Sequence, residues 1–135
     1  IIIFEGWCVG AKAQGKKNLR KAVNILEKKN DPNLIWRSKV NHELKNEYAT
    51  IFNKIDKLIF LKVPNFKCVY NWRLLQEKKL QLTSRGKKIM SPAEIKKFIM
   101  YYERITKQML MILTKKAYAV LYLNKKHMFK KIKFN

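Results

Sequence analysis

The chain has 135 residues, enough for one domain with a packed core, and 47% of them are apolar, which excludes a disordered chain. No apolar run approaches the roughly 20 residues of a membrane span, and the first residues lack the basic flank of a secretory signal. Lys and Arg number 31 against 9 Asp and Glu, a formal net charge of +22. Lys greatly outnumbers Arg, the residue that makes bidentate contacts with bases and phosphates, and the lysines are spread along the chain. Lys, Asn and Ile share A/T-rich codons, so the charge reads as base composition rather than as a nucleic-acid footprint. The two cysteines, Cys8 and Cys68, are expected as reduced thiols, and the isolated His42 and His127 offer no zinc spacing.

Ile1–Phe4 is a continuous apolar run ending in Glu5-Gly6, the pattern of a central parallel strand buried on both faces. The chain opens at Ile1 inside this run, so it is expected to be the C-terminal part of something longer. Residues 10–18 read as a basic loop and 19–29 as a short helix. Asp31-Pro32 predicts a helix start, with Asp as N-cap and Pro at the first helical position. From there Trp36, Val40, Leu44, Tyr48, Ile51, Phe52 and Ile55 recur at spacings of three or four, which predicts one amphipathic helix of about six turns. Residues 58–63 predict a second buried strand, stopped by Pro64. A helix follows over about 66–82, with Val69, Trp72 and Leu75 inward, and then a polar loop over 83–88.

Ser91-Pro92-Ala93-Glu94 spells a capping box. The helix it opens carries Ile95, Phe98, Ile99, Tyr102, Ile105, Met109, Ile112 and Leu113 on one side. Residues 117–123 predict a third strand, and the basic tail 127–135 a short edge segment. Strand, helix, strand, helices, strand is the order of an α/β domain with a parallel sheet.

Gly10, Gly15 and Lys16 of GAKAQGKK fall on the spacing of a phosphate-binding G-x-x-x-x-G-K-[ST] loop. Lys17 stands where a hydroxyl must hold Mg²⁺, and Glu5-Gly6-Trp7 intervenes between the predicted strand and Gly10, where such a loop follows its strand directly. The match reads as coincidence in a lysine-rich chain. Glu5 is more informative, because an apolar run ending in an acid is how many P-loop proteins present the carboxylate that helps hold Mg²⁺.

The segments IIIFEGWCVG, NILEKKNDPNLIWRSKVNHELKNEY, FNKIDKLIFLKVPNFKCVYNWRLLQEKKL and IMSPAEIKKFIMYYERIT together resemble the C-terminal half of D-glycerate 3-kinases, in family order and over nearly all of residues 1–123. That family is a branch of the P-loop kinases, related in fold to uridine kinase and phosphoribulokinase. The resemblance implies a three-layer α/β/α domain with a parallel sheet, incomplete here because the P-loop strand and helix lie upstream of FEGW. It makes residues 1–135 the C-terminal part of a single kinase domain, with lid-like helices over about 66–113. The implied reaction transfers the γ-phosphate of ATP to the 3-hydroxyl of D-glycerate, with ATP and Mg²⁺ as cofactors.

By the same resemblance Glu5 is the Walker-B-like acid, holding Mg²⁺ directly or through water. Arg73 would steady the transferred phosphoryl group, with Glu5 and Gln76 beside it at the nucleotide. Gly6, Trp7 and Arg104 would contact the small hydroxy-acid substrate. Without the upstream loop the chain is expected to be inactive alone. The implied setting is the cytoplasm, or the plastid stroma in a photosynthetic eukaryote, with no specific nucleic acid and no membrane as partner. The competing reading is a non-catalytic basic α/β module that binds nucleic acid or another polyanion through its lysines.

Overall fold

The computed structural model describes residues 1–83 and 89–135. Among the described residues six helices and three strands follow in chain order: α1 (Lys16–Arg20), α2 (Ile25–Asn30), α3 (Ile35–Lys45), α4 (Glu47–Phe52), β1 (Ile59–Lys62), α5 (Phe66–Thr83), α6 (Pro92–Lys116), β2 (Ala119–Leu123) and β3 (Phe129–Phe134). The polar loop read over 83–88 lies, past Thr83, outside the described residues. No described helix is long and apolar enough to cross a membrane.

The strands form one sheet in the order β1-β2-β3. β1 and β2 run parallel, with Ile59 opposite Ala119 and Leu61 opposite Leu121, joined by a crossover through α5 and α6. β3 returns antiparallel, placing Phe134 opposite Ala119 and Ile132 opposite Leu121. The sheet is therefore mixed, not parallel throughout. The connection from β2 is too short for a crossover, which needs a dozen or more residues. Asn124 closes it as a hairpin: its side-chain oxygen accepts from the backbone N–H groups of Lys126 and Met128, and His127 takes φ 63°.

The core lies on one face of this sheet. Leu44 of α3, Phe52 of α4 and Ile105, Met109 and Leu113 of α6 pack with Ala11, Ala117 and Val120, and Phe60 and Tyr122 complete the floor. The spacing of the α6 residues is the helical repeat expected from the sequence. At its start the capping box is formed: the Ser91 hydroxyl oxygen accepts from the Glu94 N–H, and the Glu94 carboxylate accepts from the Ser91 N–H at 2.8 Å. Ser91→Ala is expected to lower unfolding stability by about 1 kcal/mol, read as a shifted urea midpoint at unchanged slope.

Four expectations are corrected. Ile1–Phe4 is not part of a strand and is exposed, because no strand of the described chain lies beside it to take its backbone hydrogen bonds. The helix expected over 19–29 is two short ones, interrupted before Asn24, whose side-chain oxygen caps α2 through the Glu27 N–H. The six-turn helix is also two: at Asn46 the backbone leaves helical geometry, and the Asn46 side chain donates to the His42 carbonyl, competing with the helical ladder. Leu75 is exposed, while Cys68 and Glu77 are the buried residues of α5.

Asp31 shows how a correct residue can be misplaced. It ends α2 rather than beginning α3, and Leu34, at φ 63°, holds the N-cap position. Its carboxylate nevertheless accepts from the N–H groups of Trp36 and Arg37 at 3.1 and 3.2 Å. The capping chemistry is the expected one, delivered across the Pro32-Asn33 turn.

Candidate functional site

The FEGW loop leaves the N-terminal segment and is anchored just beyond it. Cys8 and Val9 pack against the core and Ala11 is buried within it. Gly10 has φ +81°, and a Cβ there would lie 2.6 Å from a Leu58 methyl, so the residue is glycine because the loop crosses β1's entry closely in a left-handed conformation. Glu5 and Gly6 ahead of this anchor are exposed. Trp7 stands edge-on to Tyr102 of α6, with ring centroids 4.8 Å apart.

From Tyr102 an aromatic ladder runs back along α6. Tyr102 and Phe98 are 4.9 Å apart, and the Arg73 guanidinium lies 5.6 Å from the Phe98 ring centre. One side of α6 thus links Trp7 of the FEGW loop to Arg73 of α5. Arg73 is oriented from its own helix: Nη1 donates to Gln76 Oε1 at 2.6 Å and Nη2 pairs with the buried Glu77. Two of its five N–H groups are engaged in these contacts, so the fork can still take an anion. The second Glu77 oxygen accepts from the Met90 N–H, which fastens α5 to the approach to α6. Glu77 is a positioning residue, and its i,i+4 spacing from Arg73 is the signal in the sequence that the two could pair. Trp72, next in line, points elsewhere: its ring N–H donates to the Lys125 carbonyl at the β2–β3 turn, and its ring packs on His127.

Arg104 lies on another side of α6 and is buried. It makes five hydrogen bonds: to both Glu27 oxygens at 2.7 and 2.6 Å, to Gln14 Oε1, and to the carbonyls of Asn18 and Lys21. Those equal the five donors of a guanidinium. Arg37 joins the cluster, donating to Asp31 Oδ2 at 2.8 Å and to Glu27 Oε2 at 3.3 Å. Two arginines and two carboxylates close a neutral buried network that ties the loop after FEGW to α2, α3 and α6.

Burial alone would raise the Glu27 carboxyl, but the Arg104 and Val23 hydrogen bonds and the two guanidinium charges outweigh it and hold its pKa below the ordinary carboxylate value. Asp31 is likewise lowered: its desolvation is outweighed by the backbone and side chain of Arg37 and by the Trp36 N–H. Beside the network is a cavity of about 160 Å³ with Trp36, Val40 and Ile105 among its walls and Gln108 at its lining. The buried Gln108 Oε1 has no hydrogen-bond partner among the described residues. Glu27 and Arg37 fall inside the NILEKKNDPNLIWRSKVNHELKNEY segment that carries the resemblance, with no role assigned to either, and Gln108 carries no motif.

The glycine-lysine spacing of GAKAQGKK is not built as a phosphate cradle. Gly10 is explained by Leu58, Gly15 precedes a helix of only five residues, and no strand leads into the loop. No cluster of three or more His, Cys, Asp or Glu able to hold a metal occurs among the described residues. Mg²⁺ takes one or two carboxylates and fills its remaining positions with water and phosphate oxygens, so a single exposed Glu5 fits it.

No family model matches the chain. In sequence it is 36% identical over 102 residues to an uncharacterized kinase, mug58, of Schizosaccharomyces pombe, a match covering 75% of this chain and 35% of that protein. In structure it is similar to the D-glycerate 3-kinase of Cryptococcus neoformans var. grubii, with a TM-score of 0.73 at 19% identity, over 100% of this chain and 50% of that one. The resemblance read from the sequence is borne out, and the chain spans half or less of the proteins it matches.

Proposed function

We propose that this chain is the C-terminal portion of an ATP-dependent small-molecule kinase of three-layer P-loop architecture, with D-glycerate as the acceptor and the cytoplasm as its setting. The observation that carries the reading is the ladder along α6, which gathers Trp7 of the FEGW loop and Arg73 on one side of a single helix. The likeness to a kinase in sequence and to a D-glycerate 3-kinase in fold supports it.

ATP-Mg²⁺ supplies the phosphoryl group, which passes to the 3-hydroxyl of D-glycerate to give 3-phosphoglycerate, ADP and the hydroxyl proton. The residues of this chain position and stabilise. Arg73, held by Gln76 and Glu77, presents its remaining N–H groups to the charge that develops on the transferred phosphoryl. Glu5 would hold the metal or its waters, and Gly6 and Trp7 shape the acceptor side. Arg104 acts one step removed, through Gln14 and the carbonyls of Asn18 and Lys21, by fixing the loop that follows FEGW. The cradle for the β- and γ-phosphates belongs to the half of the relatives that this chain does not span.

A chimera tests this: the chain replaces the matching half of the Cryptococcus D-glycerate 3-kinase. It is expected to form 3-phosphoglycerate from D-glycerate and ATP, and Glu5→Gln in it to lower kcat about a hundredfold or more. The 135-residue chain alone is expected to show no turnover above its own Glu5→Gln control. A chimera that melts cooperatively yet phosphorylates neither D-glycerate nor another small hydroxy acid would overturn the reading.

A further inference from the structure

The apolar stripe of α3 is covered at one end only. Trp36, Val40 and Leu44 stand a turn apart along it, as the helical repeat requires. Leu44 is 6% exposed, but Val40 is 46% exposed. Between this stripe and α6 lies the cavity of about 160 Å³ beside the buried network. Its α6 wall carries Tyr101, Ile105 and Gln108, again about a turn apart. Trp36 and Tyr101, with ring centroids 5.5 Å apart, flank the mouth, and the exposure of Tyr101 and Val40 opens it to solvent.

The chemistry of the walls limits what this cavity takes. Its charges are already matched: Arg104 spends its N–H groups on Glu27, Gln14 and two carbonyls, and Arg37 is held by Glu27 and Asp31. A charged ligand would lose its water and meet no free counter-charge among the described residues. The Asn41 amide is committed too, donating to the Gln14 carbonyl and accepting from the Gln14 N–H. Gln108 differs. It is 6% exposed, and its Oε1 has no hydrogen-bond partner among the described residues. The terminal torsion of such a side chain is broad, so the amide can turn into the cavity. Water would fill a space of this size with about five molecules, each needing two to four polar partners. The inner wall offers them chiefly the Gln108 amide. An apolar cavity of about 150 Å³, by contrast, holds a molecule the size of benzene. We propose that the cleft between α3 and α6 is a binding site for a small neutral alcohol or phenol, with its apolar body against Trp36, Val40 and Ile105 and its hydroxyl donating to Gln108 Oε1. Such a ligand braces α3 against α6 beside the loop that follows FEGW. The site is separate from that of the kinase acceptor, an anionic hydroxy acid, and the inference does not rest on the kinase reading.

Phenol and benzene, close in size and differing by the hydroxyl, are the probes, titrated into the 135-residue chain. Binding is read from Trp36 emission, excited where neither probe absorbs. Phenol is expected to bind saturably with a Kd below about 1 mM. The ratio of phenol to benzene affinity is expected to be about tenfold higher in the parent than in Gln108→Leu, which leaves the hydroxyl without its acceptor. That variant loses an amide with no partner, so it is expected to fold. Trp36→Phe is expected to abolish the emission change. No saturable binding, an equal ratio in parent and Gln108→Leu, or a signal that survives Trp36→Phe would each overturn the proposal. Displacement of phenol by D-glycerate would do so too, since the cavity would then be the acceptor site. In the chimera phenol is expected to bind as it does in the chain alone. Its loss there would assign the cavity to side chains of the other half and remove the ligand site. A chimera that binds phenol but lacks kinase turnover would leave this site standing and remove the proposed reaction.

Discussion

Glu27→Leu is expected to destabilise the chain by about 3–5 kcal/mol, because it strands an arginine in the interior. Glu27 is 4% exposed and accepts from Arg104 at both oxygens and from Arg37 at one. Removing it leaves Arg37 with Asp31 and leaves Arg104 buried with no carboxylate partner among the described residues. A loss of that size is a large part of the stability of a small domain and is read from urea or thermal unfolding. The exposed pair Lys39 and Glu43 provides the contrast, and Glu43→Gln is expected to have no measurable effect.

The same network sets the acid limb of stability. Glu27 and Asp31 have lowered pKa values in the folded chain, so the unfolded chain binds protons first as pH falls. Their contribution is complete above the ordinary carboxylate range of about 4 and drains away as pH drops through that range and below it. Unfolding stability measured from pH 7 downwards should therefore be flat at first and then fall. In Asp31→Asn the fall should be shallower.

Leu113→Ala is expected to cost about 2–5 kcal/mol. Leu113 is 3% exposed and lies where α6 meets Ala117 and Val120, so its deletion opens a void between the long helix and the sheet. Met111, two residues earlier on the same helix, faces solvent. Met111→Ala should stay within about 0.5 kcal/mol of the parent. Equal effects at the two positions would mean that α6 does not present the face described.

The long-range frame was legible because its signals are strong and local. Ser91 through Glu94 announced the start of α6, the repeat from Ile95 to Leu113 announced its buried side, and the apolar runs around Ile59 and Val120 announced the strands. What escaped depended on partners distant in sequence. Asp31 looks like an N-cap of the residue beside it, and only the Pro32-Asn33 turn shows that it caps from further back. Ile1–Phe4 has the composition of a buried strand, yet pairing needs a neighbour, and composition cannot supply one. At the candidate site, Trp7 and Arg73 were legible through the FEGW and WR segments. Tyr102 and Phe98, which join them, read as ordinary core residues, and Arg104 proved to be the centre of a buried network spanning residues from 14 to 104.

The hairpin at Asn124 and the parallel pairing of β1 with β2 differ greatly in how far the chain must travel to make them. β3 meets β2 across one tight turn, an event of microseconds. Ile59 meets Ala119 only after about sixty residues have been organised between them, and loops of that length slow folding. Assembly should begin at the C-terminal end, with the hairpin and α6, and finish when β1 arrives. In native-state hydrogen exchange the amides of β1 should open at lower free energy than those of β2, which is paired on both sides.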